Sequence, residues 1–341
     1  MDPLSQGALG ATLPLATRRR TQAAVAGGLG FIAGMMADLD VLIRSQTDPL
    51  LFLEYHRQFT HSLIFIPVGG LIAAFLLHRP FRRWHGLAFL QTWMFCALGY
   101  ATHGLLDTAT SYGTVLLWPF SDERFSWSII SIVDPLFTLP VLTLAALGMV
   151  RRNGAWGRAA LAWALVYLTL GAVQHRNALA MGHALAADRG HAPLRLEVKP
   201  SFANILVWKV IYQTADRFHV DAVRAGIAPM VMPGTSVPRL DPVRDFPWLR
   251  AGSRQARDIA RFARYSDGYV ARDPVQPDRV IDVRYSFVPN EIMPLWSIGL
   301  RPGAAPDAHV SFDTHRESVR ARIPDLWRMI VQPAARNGGA G

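Results

Sequence analysis

Residues 36–40 read MADLD, 56–62 HRQFTHS, 103–107 HGLLD and 113–119 GTVLLWP. In these four blocks, carboxylates and imidazoles recur at the ends of apolar runs. Such groups are costly beside hydrocarbon unless something binds them. The blocks therefore read as a metal centre built at one face of a membrane helix bundle.

Working outward, apolar runs cover residues 23–37, 61–77, 86–106, 127–150 and 159–173. They place about five spans at 23–43, 61–78, 86–106, 127–150 and 158–176, long enough for a bilayer core of about 30 Å. An earlier run, 4–16, makes only about 20 Å of helix and reads as a short helix tucked into the bundle. Arg18, Arg19 and Arg20 before the first span resemble a secretory signal. No A-x-A site follows, and the run ends in Asp38 and Asp40, so an uncleaved helix is expected. Pro135 and Pro140 in the fourth run are tolerable in a membrane helix whose neighbours satisfy the freed carbonyls.

Short arginine clusters lie at 18–20, 79–83 and 151–158, in alternate loops. The positive-inside rule puts all three on the cytoplasmic side. Loops 38–61 and 103–128 then face outward, away from the cytoplasm. That outer face collects Asp38, Asp40, His56, His61, His103 and Asp107, with Asp134 opening the fourth helix and His175 closing the fifth. The topology rests on arginines alone, yet it gathers the ligand-type residues together.

Composition agrees. Hydrophobic residues make up 51% of the 341-residue chain and charged residues 18%, too apolar for an ordinary soluble protein. The net charge of +10 is almost all arginine, dispersed over the C-terminal half and in short loops. It suits topology and attraction to membrane lipids. No compact basic-aromatic patch supports nucleic-acid binding. One cysteine, Cys96, excludes an intrachain disulfide and any CxxC metal site. A metal must be held by His and carboxylate.

From about residue 185 the pattern changes. Residues 194–199, 218–223, 280–288 and 296–300 alternate as half-buried strands do, and 253–265 has helical spacing. Residues 185–332 are expected to form a smaller α+β extramembrane domain outside the cytoplasmic membrane, with a frayed tail from about 333. The fold class is thus a polytopic α-helical membrane bundle, residues 1–180, followed by that domain.

His103 and Asp107 are four apart and share a helix face. Imidazole plus carboxylate without thiolate suits a divalent metal, zinc first, with manganese or iron as alternatives. A metal with open positions activates water, and two metals suit phosphoester hydrolysis. Asp38, Asp40, His56, His61, His103 and Asp107 are the expected ligands, and Asp38 or Asp134 the expected proton acceptor. Arg57 is read as a contact to a phosphate or lipid headgroup, or as a surface ion pair. Asp48, Glu54 and Asp122 are read as solvated, and Trp118-Pro119-Phe120 as an interfacial anchor.

The DLD block at 38–40, the HRQFTHS block and GYATHGLLD at 99–107 resemble the membrane-bound metal-dependent hydrolase family, the YdjM-like proteins; Thr110, Gly113 and LLWP at 116–119 continue the match. The resemblance covers about residues 1–180. It implies a multi-helix inner-membrane protein with a metal site. It also suggests, through a distant likeness to zinc-dependent phospholipase C and P1-type nucleases, phosphodiester or lipid substrates. The chain departs from the pattern at Ser5-Gln6, where many members carry a His, at Met36-Ala37 in place of Leu-Pro, and at Val41 in place of a His. The expected activity is metal-dependent hydrolysis at the outer face. The alternative is a non-catalytic anchor for the outer domain with a structural metal. A transporter would need charges on both faces, against the clustering on one.

Overall fold

The computed structural model describes residues 1–17, 21–226, 228–317 and 319–331, with the side chains of all but 83–85. The arginines at 18–20, the side chain of Arg83 and the tail expected to fray lie outside the described residues. The chain forms two compact units. The first comprises Met1–Ile43, Tyr55–Ala172 and Phe202–Asn204; the second comprises Arg44–Glu54, Val173–Ser201 and the chain from Ile205 onward.

The first unit is helical. Asp2 caps α1 (Pro3–Ala16), and Pro3 starts it at the position where a missing N–H costs nothing. Almost all of α1 is buried, as a tucked-in helix requires. Beside it runs α2 (Ala23–Met35), continued by a 3-10 helix, Met36–Leu42. A Cβ on Gly10 would sit 2.6 Å from the Gly30 carbonyl oxygen, and one on Gly99 would sit 2.4 Å from that same oxygen. Backbone therefore touches backbone, the close approach that small residues permit between membrane helices.

A short α3 (Leu51–Tyr55) precedes α4 (Ile66–His85), which ends at Gly86 in the left-handed region at φ +60°. Then follow α5 (Phe89–Thr108), α6 (Pro135–Val150) and α7 (Gly154–Asp188). Of the run 127–150 only Pro135–Val150 is helix, because Asp134 caps it and Pro135 opens it. His61 does not open α4. It sits in a 3-10 turn, Phe59–His61, five residues earlier than the helix.

Among the described residues, three segments are long and apolar enough to cross a membrane: Ala23–Leu42, Leu63–Arg82 and Gly154–Asp188. α6 is apolar but shorter. α5 is not among them, since it carries Gln91, Thr92, Thr102, His103, Asp107 and Thr108. On α4, Val68, Leu71, Ile72, Phe75 and Leu76 are exposed, as a lipid-facing surface would be.

The second unit holds two antiparallel sheets of sequential strands. The first contains β1 (Arg195–Pro200), β2 (Val207–Gln213), β3 (Arg217–Arg224) and β4 (Met230–Pro238). The second contains β5 (Val270–Arg272), β6 (Arg279–Asp282), β7 (Trp296–Gly299) and β8 (Ser311–Thr314). Ile211, Phe218 and Val220 of the first sheet share a core with Ala271 and Ile281 of the second and with Tyr269, just before β5. α8 (Pro242–Asp245) and α9 (Arg254–Tyr265) follow β4, and α10 (Val319–Val331) closes the described chain. The run 280–288 is strand only to Asp282, where the Asp282 carboxylate accepts from the Arg284 backbone and guanidinium and turns the chain.

Asp48 and Glu54, read as solvated, are part-exposed but held by an ion-pair partner. Arg261 of α9 donates to both oxygens of Asp48, at 3.1 and 2.9 Å, and to Glu54 at 2.9 Å. Leu50 and Leu53 between them join a core with Phe246, Ile259 and Phe262. This segment belongs to the second unit although its neighbours on both sides belong to the first.

Candidate metal centre

Three elements of the first unit supply the ligand-type side chains. On the 3-10 helix Met36–Leu42, residues two apart point about 120° apart around the axis. Asp38 and Asp40 therefore serve different neighbours. On α5, His103 and Asp107 are one turn apart on one face. His56 and His61 come from the loop before α4. That loop lies against α5 because residue 104 is glycine: a Cβ there would meet the His61 carbonyl oxygen at 2.3 Å. Tyr100 adds a hydrogen bond to the Thr60 carbonyl at 2.7 Å. The fourth sequence block braces the loop from the other side. Val115 N donates to the Arg57 carbonyl at 3.0 Å, and Leu63 N donates to the Leu116 carbonyl at 2.9 Å.

Asp38, His61, His103 and Asp107 each direct one ligand atom into a common space, all within 4.8 Å of one another. His61 Nε2 is 3.2 Å from Asp107 Oδ2 and 3.4 Å from Asp38 Oδ1. His103 Nε2 is 3.4 Å from Asp38 Oδ1 and 3.7 Å from Asp107 Oδ2. Bonds of about 2.0–2.1 Å to a tetrahedral ion put ligand atoms about 3.4 Å apart, so these separations fit. His61 Nε2, His103 Nε2 and Asp107 Oδ2 are buried without a hydrogen-bond partner. Buried polar atoms are almost always paired, so two imidazole nitrogens without a hydrogen-bond partner, facing one space with two carboxylates, point to an ion.

The outer nitrogens are oriented as metal-ligating imidazoles require. His103 Nδ1 donates to the Gly34 carbonyl at 2.6 Å. His61 Nδ1 lies 2.9 Å from Thr60 Oγ1 and 3.3 Å from Asp40 Oδ2. Asp40 in turn accepts from the Arg57 backbone at 3.0 Å and the Thr60 hydroxyl at 2.8 Å, and its Oδ1 is 2.8 Å from His56 Nδ1. Asp38, Asp40 and His56 form a second group able to hold an ion, sharing Asp38 with the first.

Arg57 is not at the surface. It is buried with its backbone at φ +62°, its Nε is 3.1 Å from Asp107 Oδ2, and it donates to Thr110 Oγ1 at 2.9 Å. Two neighbours went unread in the sequence. Gln6 Nε2 donates to Asp107 Oδ1 at 2.9 Å, and the Met1 amino group contacts the same oxygen. The signal for Gln6 was present: it is an amide on an otherwise apolar helix, at the place noted as a departure. Asp134 joins neither group. Its Oδ1 accepts from the N–H groups of Leu136 and Phe137 and from the Tyr167 hydroxyl at 2.8 Å. His175 lies in the second unit with its ring edge against Trp208.

The site lies within the part of the chain that matches a known family. Residues 1–178 match the family model described as YdjM inner membrane protein. The chain is similar to inner membrane protein YbcI of Escherichia coli K12, with 36% identity over 107 residues, which cover 30% of this chain and 60% of that protein. No solved structure matches.

Proposed function

We propose that this chain, which belongs to the YdjM inner membrane protein family, is a membrane-bound metal-dependent hydrolase acting on phosphoesters or lipids. The observation that carries the reading is the convergence of His61, His103, Asp38 and Asp107 on one space, with both Nε2 atoms buried and without a hydrogen-bond partner. When bound there, a divalent ion, zinc foremost, supplies a Lewis acid and an activated water. Asp38 and Asp107 supply negative charge, and the two imidazoles are oriented by their outer hydrogen bonds.

Asp38 is the one member of the four with a part-exposed side chain, at 20%. It and His56 are the groups a substrate reaches first, and Asp38 is the proposed proton acceptor. Asp134, committed to a helix cap and Tyr167, is the weaker candidate for that role. The multi-pass topology, with the site and the second unit on the outer side of the membrane, is part of the same proposal. It is supported by the arginines at 79, 82, 151 and 152.

The burial of His61, His103 and Asp107 favours a second reading, a closed four-ligand structural site in a membrane anchor for the second unit. Elemental analysis of detergent-purified protein decides first, with wild type beside His61→Ala/His103→Ala. Metal lost in the variant supports the site, and turnover of phosphodiesters or phospholipids by the wild type then separates enzyme from anchor. An intact fold with no metal in either protein sinks both metal readings.

A further inference from the structure

One face of α10 is fastened down. Leu326 and Met329 are buried, and Met329 packs with Val207, Ala222 and Val288. Arg224 Nη1 donates to the Ile330 carbonyl at 3.1 Å, and Arg322 binds Glu291 and Asp325. The opposite face is apolar where water would favour polar side chains. Ile323, Trp327 and Val331 are 52%, 61% and 52% exposed. Their four-residue spacing sets them in one row along the helix, in steps of about 6 Å.

The adjoining row is Arg320, Pro324 and Arg328, all exposed. Asp325, the one acidic residue of α10, is already engaged by Arg322 and Arg328. Over residues 316–331 arginines outnumber acids by four to two, so the exposed charge is positive. An apolar row containing tryptophan beside a row of arginines is the make-up of a helix lying in a membrane interface. Cationic side chains there are attracted by anionic headgroups. The same chain carries three segments able to cross a bilayer, so a membrane is always at hand.

We propose that α10 lies on the bilayer surface, with Ile323, Trp327 and Val331 at the headgroup–acyl boundary and Arg320 and Arg328 on anionic phospholipid headgroups. This docking is independent of any catalytic activity. Full-length protein in lipid nanodiscs tests it, with an environment-sensitive fluorophore on Ile323→Cys and, as reference, on Val275→Cys, a site on the same unit that is 81% exposed. Cys96 is fully buried, and unmodified protein serves as the labelling blank.

In discs containing phosphatidylglycerol and doxyl lipids, the label at 323 is expected to be quenched several-fold more than the label at 275. The excess is expected to fall with Arg320→Gln/Arg328→Gln and with added salt, which screens the attraction. Equal quenching at the two sites overturns the proposal. So does shielding of position 323 in detergent micelles that grows with protein concentration, because a second copy of the chain then covers the row.

Discussion

His103 of α5 donates its Nδ1 hydrogen to the carbonyl of Gly34 on α2, across 2.6 Å. Since a carbonyl only accepts, Nδ1 carries the hydrogen of this bond, and the other ring nitrogen faces Asp38 at 3.4 Å. The contact of two helices thus orients the ring of a candidate ligand. That contact exists because Gly30 and Gly99 let the backbones meet.

Gly99→Ala is accordingly expected to damage the metal site without touching a ligand. Its Cβ would stand 2.4 Å from the Gly30 oxygen and 2.6 Å from its Cα, neither of which can swing away. Overpacking of this kind costs about 1–3 kcal/mol. Metal content and thermal unfolding in detergent are expected to fall together. Unchanged metal content in Gly99→Ala would separate helix packing from ligand geometry.

Asp40→Asn addresses the outer support of His61. The carboxylate collects four groups, from His56, Arg57, Thr60 and His61. An amide cannot accept from all of them, and loss of such support lowers metal affinity about 10–100-fold. Competition with a chromogenic chelator measures this. If one of two bound ions vanishes outright, Asp40 is itself a ligand of the second group.

Arg261→Ala is expected to cost about 1–2 kcal/mol of second-unit stability, allowing for the water that reaches the side chain. It also carries a pH signature. Burial pushes the Asp48 carboxyl up, but the Arg261 guanidinium and the Leu50 N–H outweigh it and hold the group below its ordinary 3.8. A depressed carboxylate stabilises fully above its unfolded value and ceases to do so as pH falls through the folded one. Wild type is thus expected to lose this increment below about pH 4, and Arg261→Ala to show a shallower acid decline in limited proteolysis. Parallel acid profiles would remove Arg261 from the account.

Lys209 gives a slope of the same sign, but on the alkaline side. It is buried in β2, donating to Ser286 Oγ at 2.8 Å and to the carbonyls of Glu291 and Pro289 at 2.7 and 3.2 Å. Burial pushes its ammonium from 10.5 down to about 7, against the pull of Asp282 and Glu291. Between those two values the unfolded chain binds the extra proton, so stability rises with pH from about 7 to about 10. Lys209→Met is expected to flatten that rise, as read by hydrogen exchange of the strand amides. An undiminished slope in the variant would show that another group titrates.

Much of the site was readable in order along the chain. The spacing of His103 and Asp107 follows from helix periodicity, and apolar runs place charged residues at their ends. Arg57, Asp48 and Glu54 were misread because a charged side chain carries no local mark of its partner. Theirs lie 50, 213 and 207 residues away. β2 was missed for a related reason. Buried on both faces, its residues show no alternation.

The sequence by itself determined that this chain is a membrane helix bundle with a different, strand-rich second part. Hydrophobic periodicity and the residues that end helices are local properties. Only the tertiary structure decided that Asp38 and Asp40 serve different neighbours and that Gln6 touches Asp107. It alone showed that residues 44–54 belong to the second unit. Those facts depend on which backbones approach closely, and that is settled by packing between residues far apart in the chain.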